Sequence, residues 1–307
     1  MRSTRTRVPW VLLACIGMIL ATQTPPTPMV HTAPASTGYA LQFFGNGAGD
    51  IDRVKIALGN PSCPVDVGGD FTIEFWMKAR ASDNTSGPCT AGGSNWINGN
   101  TIIDRDVYGS GDYGDYGISL YGGRIAFGVA RGANENTICS TATVTNGQWR
   151  HIAVTRNATT GQLRIFVDGQ IEAQGSGPAG DVSYRDGRST AYPNDPFLVI
   201  GAEKHDAGSQ FPSYRGLLDD VRISNSVRYS GPFSPPGAPH AADGATVALY
   251  RFDEGNGTTI IDSAPGGQSP GLVRYGGSPA GPVWVFDTPF GPPPQLDPRA
   301  FIPLVVR

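Results

Sequence analysis

From Tyr39 onward the chain is a succession of short apolar runs, each closed by Gly, Pro, Asn or Asp. Runs of that length joined by turn residues predict strands, and they are too short for helices of ordinary length. Phe71–Ala79 shows the pattern most clearly. Phe71, Ile73, Phe75 and Met77 alternate with Thr72, Glu74, Trp76 and Lys78. A period of two puts the apolar set on one face of a strand and the polar set on the other. Further strands are predicted at 40–44, 53–58, 101–104, 116–121, 124–130, 137–144, 149–156, 163–168, 170–174, 197–201 and 217–224. Asp168-Gly169 and Gly122-Gly123 each lie between two such runs. Both dipeptides favour the two-residue hairpin turn, whose central residues take positive φ. In 149–156, Ile152 and Val154 face one way and Trp149, His151 and Ala153 the other, as in an inner strand covered on both faces. Composition agrees, because 42 Gly and 26 Pro among 307 residues are roughly a fifth of the chain against a usual share of about 12%. Both residues break helices.

The ends of the chain carry a different signal. Arg2, Arg5 and Arg7 precede the apolar stretch Pro9–Ala21, so residues 1–21 read as a signal peptide. The stretch is shorter than the ~20 residues that span a bilayer. Residues 22–37 are a Thr/Pro-rich linker and 38–230 the main domain. Residues 231–245 are a Pro-rich connector, and 246–287 a C-terminal β element expected to pack on the same sandwich. Residues 288–307 form a Pro-rich tail ending in FIPLVVR. A secreted or cell-surface protein meets an oxidising compartment. Cys63, Cys89 and Cys139 would remain after signal cleavage, enough for one disulfide and one free thiol. The sequence does not choose the pair. The lean is to Cys89–Cys139, with Cys89 in a Gly/Ser/Asn-rich loop and Cys139 at a predicted strand. Only 16% of residues are charged and the net charge is −3, which favours neither nucleic acid nor an anionic membrane.

Several segments resemble the laminin-G-like (LamGL) jelly-roll family of the concanavalin A-like superfamily. They are ALQFFG, GGDFTIEFWMKA, NGQWRHIAVTRN, LRIFVDGQ and FLVIGAE followed by YRGLLDDVRIS, with LYRFDEGNGTTIIDSAPG after them. Their order and spacing carry the resemblance across residues 38–287. It implies an all-β fold, a two-sheet antiparallel jelly-roll sandwich. It also implies a non-catalytic module that binds a glycan or an extracellular protein, with Ca²⁺ as cofactor. On the family pattern one calcium site would use Asp115, with Asp112 as a nearby substitute, and Asn194 or Asp195. An alternative site would use Asp219 on the last strand of the main domain. Calcium takes oxygen donors from such loop residues, although Asp and Asn also favour turns for local reasons. Tyr108, Tyr113, Phe211 and Tyr214 are candidates for stacking on sugar rings, with loop packing an equal reading.

Catalysis finds little support. Glycoside hydrolysis needs two carboxylates at a defined separation. The glutamates are Glu74, Glu135, Glu172, Glu203 and Glu254, and none has an acidic partner at the spacing of the concanavalin-type glucanases. Glu74 reads as a polar residue of its sheet face and His151 as structural, because no second His or Cys lies at ligand spacing along the chain. No G-x-S-x-G or H-E-x-x-H motif occurs. A divergent glycoside hydrolase or lyase and a structural cell-surface spacer are the alternative readings.

Overall fold

The computed structural model describes residues 38–59, 63–109, 111–185 and 193–291. The signal segment, the linker 22–37 and the tail beyond 291 lie outside the described residues. Strands β1 (Ala40–Phe44), β2 (Arg53–Ala57), β3 (Phe71–Arg80), β4 (Asn100–Asp104), β5 (Asp115–Tyr121) and β6 (Arg124–Arg131) come first. Next are β7 (Asn134–Thr143), β8 (Asn146–Arg156), β9 (Gln162–Val167), β10 (Gln170–Ser176), β11 (Phe197–Ile200) and β12 (Arg215–Ser224). After the connector follow β13 (Thr246–Tyr250), β14 (Thr259–Ile260), β15 (Gly271–Arg274), β16 (Gly276–Gly277), β17 (Ala280–Gly281) and β18 (Val283–Val285). The helical content of the described residues is two 3-10 turns, Ala81–Asp83 and Asn95–Asn98.

The strands form two large antiparallel sheets, the jelly-roll sandwich that the family resemblance implies. The first has the order β10-β9-β8-β3-β12-β1-β18, with β13 also on β12. The second has the order β14-β15-β2-β11-β4-β5-β6-β7. Strand β12 is bulged between Asp219 and Arg222, where Asp220 takes φ 50°. Its first half pairs with β1 and its second half with β13. The late strands serve both sheets, since β15 pairs with β2 and β18 with β1.

The core is where the alternation points. Phe71, Ile73, Phe75 and Met77 of β3, Ile152 and Val154 of β8, and Val54 and Ile56 of β2 are all fully buried between the sheets. Each such side chain stabilises the fold by about 1.5–3 kcal/mol relative to exposure. Both predicted hairpins form, with φ of 48° and 77° at Asp168-Gly169 and 58° and 79° at Gly122-Gly123.

Each sheet also has a covered outer face. On the second sheet, Trp96 from the Asn95–Asn98 turn lies flat over Gly117 and Gly128, where an added Cβ would come within 2.0 and 1.8 Å of the indole. The disulfide Cys89–Cys139 ties the loop bearing that turn to β7, the pairing towards which the sequence leans. Cys63 remains a half-buried thiol. On the first sheet, the connector runs across the polar face of β3 and β8. Thr72 Oγ1 donates to the Ser226 carbonyl at 2.7 Å, and the Phe233 amide donates to the Gly169 carbonyl at 2.9 Å.

Candidate functional site

Strand pairing gathers a charged cluster at one rim of the second sheet. Asp104 ends β4 and pairs with Gly117 of β5 on one side and Val199 of β11 on the other. Asp115 opens β5, Asp195 precedes β11, and Glu203, Lys204 and His205 follow it. Asp104 accepts the Asp106 and Lys204 amides, both at 2.8 Å. Asp115 accepts the Val107 amide at 2.8 Å, and Asp195 accepts the Tyr108 amide at 2.9 Å. The carboxylates therefore shape the 104–108 segment as well as charging it. His205 sits among them, with Nε2 2.7 Å from Asp195 and Nδ1 3.0 Å from Glu203 and 3.4 Å from Asp106. Lys204 is buried and donates through Nζ to the carbonyls of Asp195 and Phe197 at 3.0 and 3.2 Å.

The electrostatics are those of a carboxylate surplus. Burial, then the charges of Glu203 and Asp106, pushes Asp104 up to about 7. Burial and Asp106 likewise push Asp115 up to about 7. Burial works against the His205 imidazolium, but its bonds to Asp106 and Glu203 outweigh that and raise it to about 9. Burial lowers Lys204 to about 8. Beside the cluster opens a recess of about 570 Å³ whose walls include Asp106, Tyr108, Asp112, Asp115 and Glu135. Tyr108 is 51% exposed there. Asp106 and Asp115 are hard oxygen donors of the kind calcium takes, whereas the donor atoms that lie within 4.8 Å of one another are those of Asp106, Glu203 and His205.

The sequence-predicted residues fare differently. Asp115 joins the cluster. Asn194 does not, because its Oδ1 accepts from Lys55 at 2.9 Å and its Nδ2 donates to the Lys204 carbonyl at 2.7 Å. The neighbouring Asp195 reaches the cluster instead. Asp112 is held by Arg131 at 3.2 Å and Arg185 at 3.0 Å. Asp219 lies on the first sheet, outside the rim cluster. Burial, with Asp220 and Asp253 nearby, pushes it up to about 9. Among the aromatics, Tyr108 lines the recess. Tyr113 is half-buried with its ring close to Gly111. Phe211 is half-buried in its loop and does not line the recess. Tyr214 requires correction, because it is fully buried against Phe43 and its hydroxyl donates to the Leu217 carbonyl at 2.9 Å. It is a core residue and offers no ring face to a sugar.

Sequence reading missed Asp104, Asp106 and His205 at the rim. The one available signal is the crowding of ionisable residues in Asp104-Arg105-Asp106 and Glu203-Lys204-His205-Asp206 at the ends of predicted strands. Glu74 and His151 occupy the polar face of the first sheet, both fully buried beneath the connector. Arg222 meets Glu74 at 2.7 Å. Burial alone would raise Glu74, but His151, His240 and Arg222 hold it well below the usual carboxylate range. A carboxylate held ionised and closed off from solvent is a poor general acid.

Comparison with known proteins adds the following. The Laminin_G_3 family model, described as the concanavalin A-like lectin/glucanases superfamily, matches residues 52–230. A stretch of 159 residues is 28% identical to a Rattus norvegicus protein, the sushi, von Willebrand factor type A, EGF and pentraxin domain-containing protein 1. That match covers 52% of this chain and 4% of the much longer relative. Among solved structures, a candidate carbohydrate-binding protein from Bacteroides ovatus aligns with a TM-score of 0.49 and 17% identity, over 84% of this chain and 62% of that one. Domains LG4-5 of the mouse laminin α1 chain align with a TM-score of 0.41 and 15% identity, over 67% of this chain and 48% of that one.

Proposed function

Because the chain belongs to the concanavalin A-like lectin/glucanases superfamily, its Laminin_G_3 match covering more than half its length, we propose that it is a non-catalytic binding module that holds a glycan at the acidic rim with the help of calcium. One observation carries this reading. The half-exposed ring of Tyr108 and the carboxylates of Asp106 and Asp115 line one open recess. An aromatic face beside carboxylates suits a sugar, which presents an apolar ring face and hydroxyl donors together. Asp106 and Asp115 would hold the calcium ion, which supplies positive charge and coordination sites to ligand oxygens. On the family pattern Asp219 would be an alternative, separate locus for calcium, although its burial favours the protonated carboxyl. The Cys89–Cys139 disulfide supports a place outside the cell. The buried, ion-paired state of Glu74 supports the non-catalytic reading.

The test is a glycan array probed with the full chain, in calcium and again in chelator, alongside calcorimetric titration of calcium alone. Binding that requires calcium and is lost in Tyr108→Ala and Asp115→Asn is the expected result. An array silent in both conditions, with no heat of calcium binding, would leave a spacer or a protein partner. Hydrolysis of any array sugar would return the enzyme reading.

A further inference from the structure

The covered face of the first sheet carries a second group of ligating side chains, independent of the rim. Glu74 on β3 and His151 on β8 stand on adjacent strands, with Trp76 opposite His151 and Glu74 opposite Ala153. The two side chains are thus diagonal neighbours on one face. His240 arrives from the connector, far away along the chain. Its Nε2 lies 3.2 Å from Glu74 Oε2 and 3.4 Å from His151 Nε2. His151 Nε2 is in turn 3.4 Å from the same glutamate oxygen. All three side chains are buried.

The three donor atoms stand at the corners of a nearly equilateral triangle, a spacing that the ligands of one ion take. Ligands about 2.0–2.1 Å from a tetrahedral zinc ion stand roughly 3.3–3.4 Å from each other. The outer partners match at His240 and Glu74, while His151 Nδ1 has no hydrogen-bond partner among the described residues. His240 Nδ1 is 2.6 Å from Asp220 Oδ2, the carboxylate–histidine pairing that orients metal-bound imidazoles. The other oxygen of Glu74 takes the Arg222 guanidinium at 2.7 and 2.9 Å, which leaves Oε2 to face the histidines. Arg228 stands farther off at 3.9 Å and is itself paired with Asp243.

Proton counting points the same way. Asp220 is an acceptor, so His240 carries its hydrogen on Nδ1, and in the neutral ring Nε2 then presents a lone pair to an anionic oxygen. That oxygen also accepts from the Tyr229 hydroxyl at 2.8 Å. Lone pairs and a carboxylate facing one point repel unless a cation stands between them. An imidazolium at His240 is one such cation and a metal ion is the other.

We propose that Glu74, His151 and His240 bind a divalent transition-metal ion of the zinc class, which fastens the 231–245 connector to the first sheet. Two imidazoles and one carboxylate are borderline donors that suit zinc over calcium or magnesium. Because the ligands come from β3, β8 and the connector, the ion is a cross-link between elements.

The test uses the full chain without a polyhistidine tag, stripped with chelator and titrated with Zn²⁺ and, separately, with Co²⁺. One equivalent of zinc per chain and a visible cobalt absorption typical of low coordination number are expected. His240→Gln should abolish both. Asp220→Asn should weaken zinc about ten- to a hundredfold, and asparagine tolerates the positive φ of that position. His205→Gln, at the rim, should leave the stoichiometry unchanged. Zinc should also slow proteolysis within 225–245 in the native chain. The proposal is overturned if stripped wild-type protein takes up no zinc at micromolar concentrations, which would leave His240 as a buried imidazolium. It is also overturned if the bound equivalent survives His240→Gln or disappears in His205→Gln. Because the wild-type titration decides the first outcome, a variant that fails to fold does not protect the idea.

Discussion

At the scale of single residues, two tyrosines of the same candidate list have opposite roles, and mutation should separate them. Tyr108 is half-exposed beside the rim recess, whereas Tyr214 is buried with its hydroxyl on the Leu217 carbonyl. Tyr108→Ala is expected to leave the unfolding free energy read from urea denaturation within about 0.5 kcal/mol of wild type while removing ligand binding. Tyr214→Phe should cost about 1 kcal/mol of stability and leave binding intact. A Tyr214→Phe variant that binds poorly at full stability would contradict this division. Gly128 offers a sharper test of packing. A Cβ there would meet the Trp96 indole at 1.8 Å, and the indole is wedged between the Asn95–Asn98 turn and the sheet. Gly128→Ala should therefore destabilise by about 1–3 kcal/mol, read from chemical denaturation together with a change in tryptophan emission.

At the scale of elements, the disulfide is the cross-link whose removal is simplest to measure. Cys89 and Cys139 enclose a separation of 50 residues, and closing such a loop constrains the unfolded chain. The double variant Cys89→Ser with Cys139→Ser should lose about 2–4 kcal/mol, and the 81–99 loop should become the first site of proteolysis. An unchanged melting temperature would show that the loop is held by its packing alone. Elements of this kind were legible in the sequence where a local rule governs them. Asp168-Gly169 and Gly122-Gly123 marked their hairpins because few other residues accept two positive φ angles in succession. Strand β3 was legible because its alternation is clean. Strand β8 begins at Asn146, before the predicted Trp149, and β7 at Asn134, before residue 137, since polar edge residues continue a ladder without an apolar signal. Strand β15 went unread because GLVR holds only two apolar residues, between Pro270 and Gly276. At the rim, Asp115 was singled out only through the family resemblance, which implies an acid just before a strand. Asp104 and Lys204 meet across a separation of 100 residues, a proximity that only sheet pairing creates. His240 was hidden for the same reason, inside a segment whose prolines read as mere spacing.

At the scale of the whole molecule, buried charge should govern how stability responds to pH. Asp104 and Asp115 are pushed up to about 7 and Asp219 to about 9, chiefly by burial, from an ordinary 3.8. His205 is raised to about 9 from 6.5, where Asp106 and Glu203 outweigh burial. Each of these groups binds its proton more tightly in the fold than in the unfolded chain. The three carboxyls contribute in full only below their ordinary 3.8 and His205 below 6.5, and these contributions are lost as pH rises to about 7 for Asp104 and Asp115 and to about 9 for Asp219 and His205. His151 and Lys204, which burial lowers, pull in the opposite sense, but the raised groups outnumber them. In chelator the melting temperature should thus be higher near pH 5.5 than near pH 8.5. Millimolar calcium should recover much of the difference at the alkaline end, where the rim carboxylates are ionised. A melting temperature that climbs with pH in chelator would show that these carboxyls are solvated as ordinary acids. The disulfide also bears on affinity. The loop it anchors supplies one wall of the rim recess, where Ser94 donates to Glu135 on β7. A wall cross-linked before any ligand arrives has little freedom left to surrender. Association at this rim should then carry a small entropic penalty for ordering the receptor, so its selectivity would reside in the shape of the ligand and not in induced closure around it.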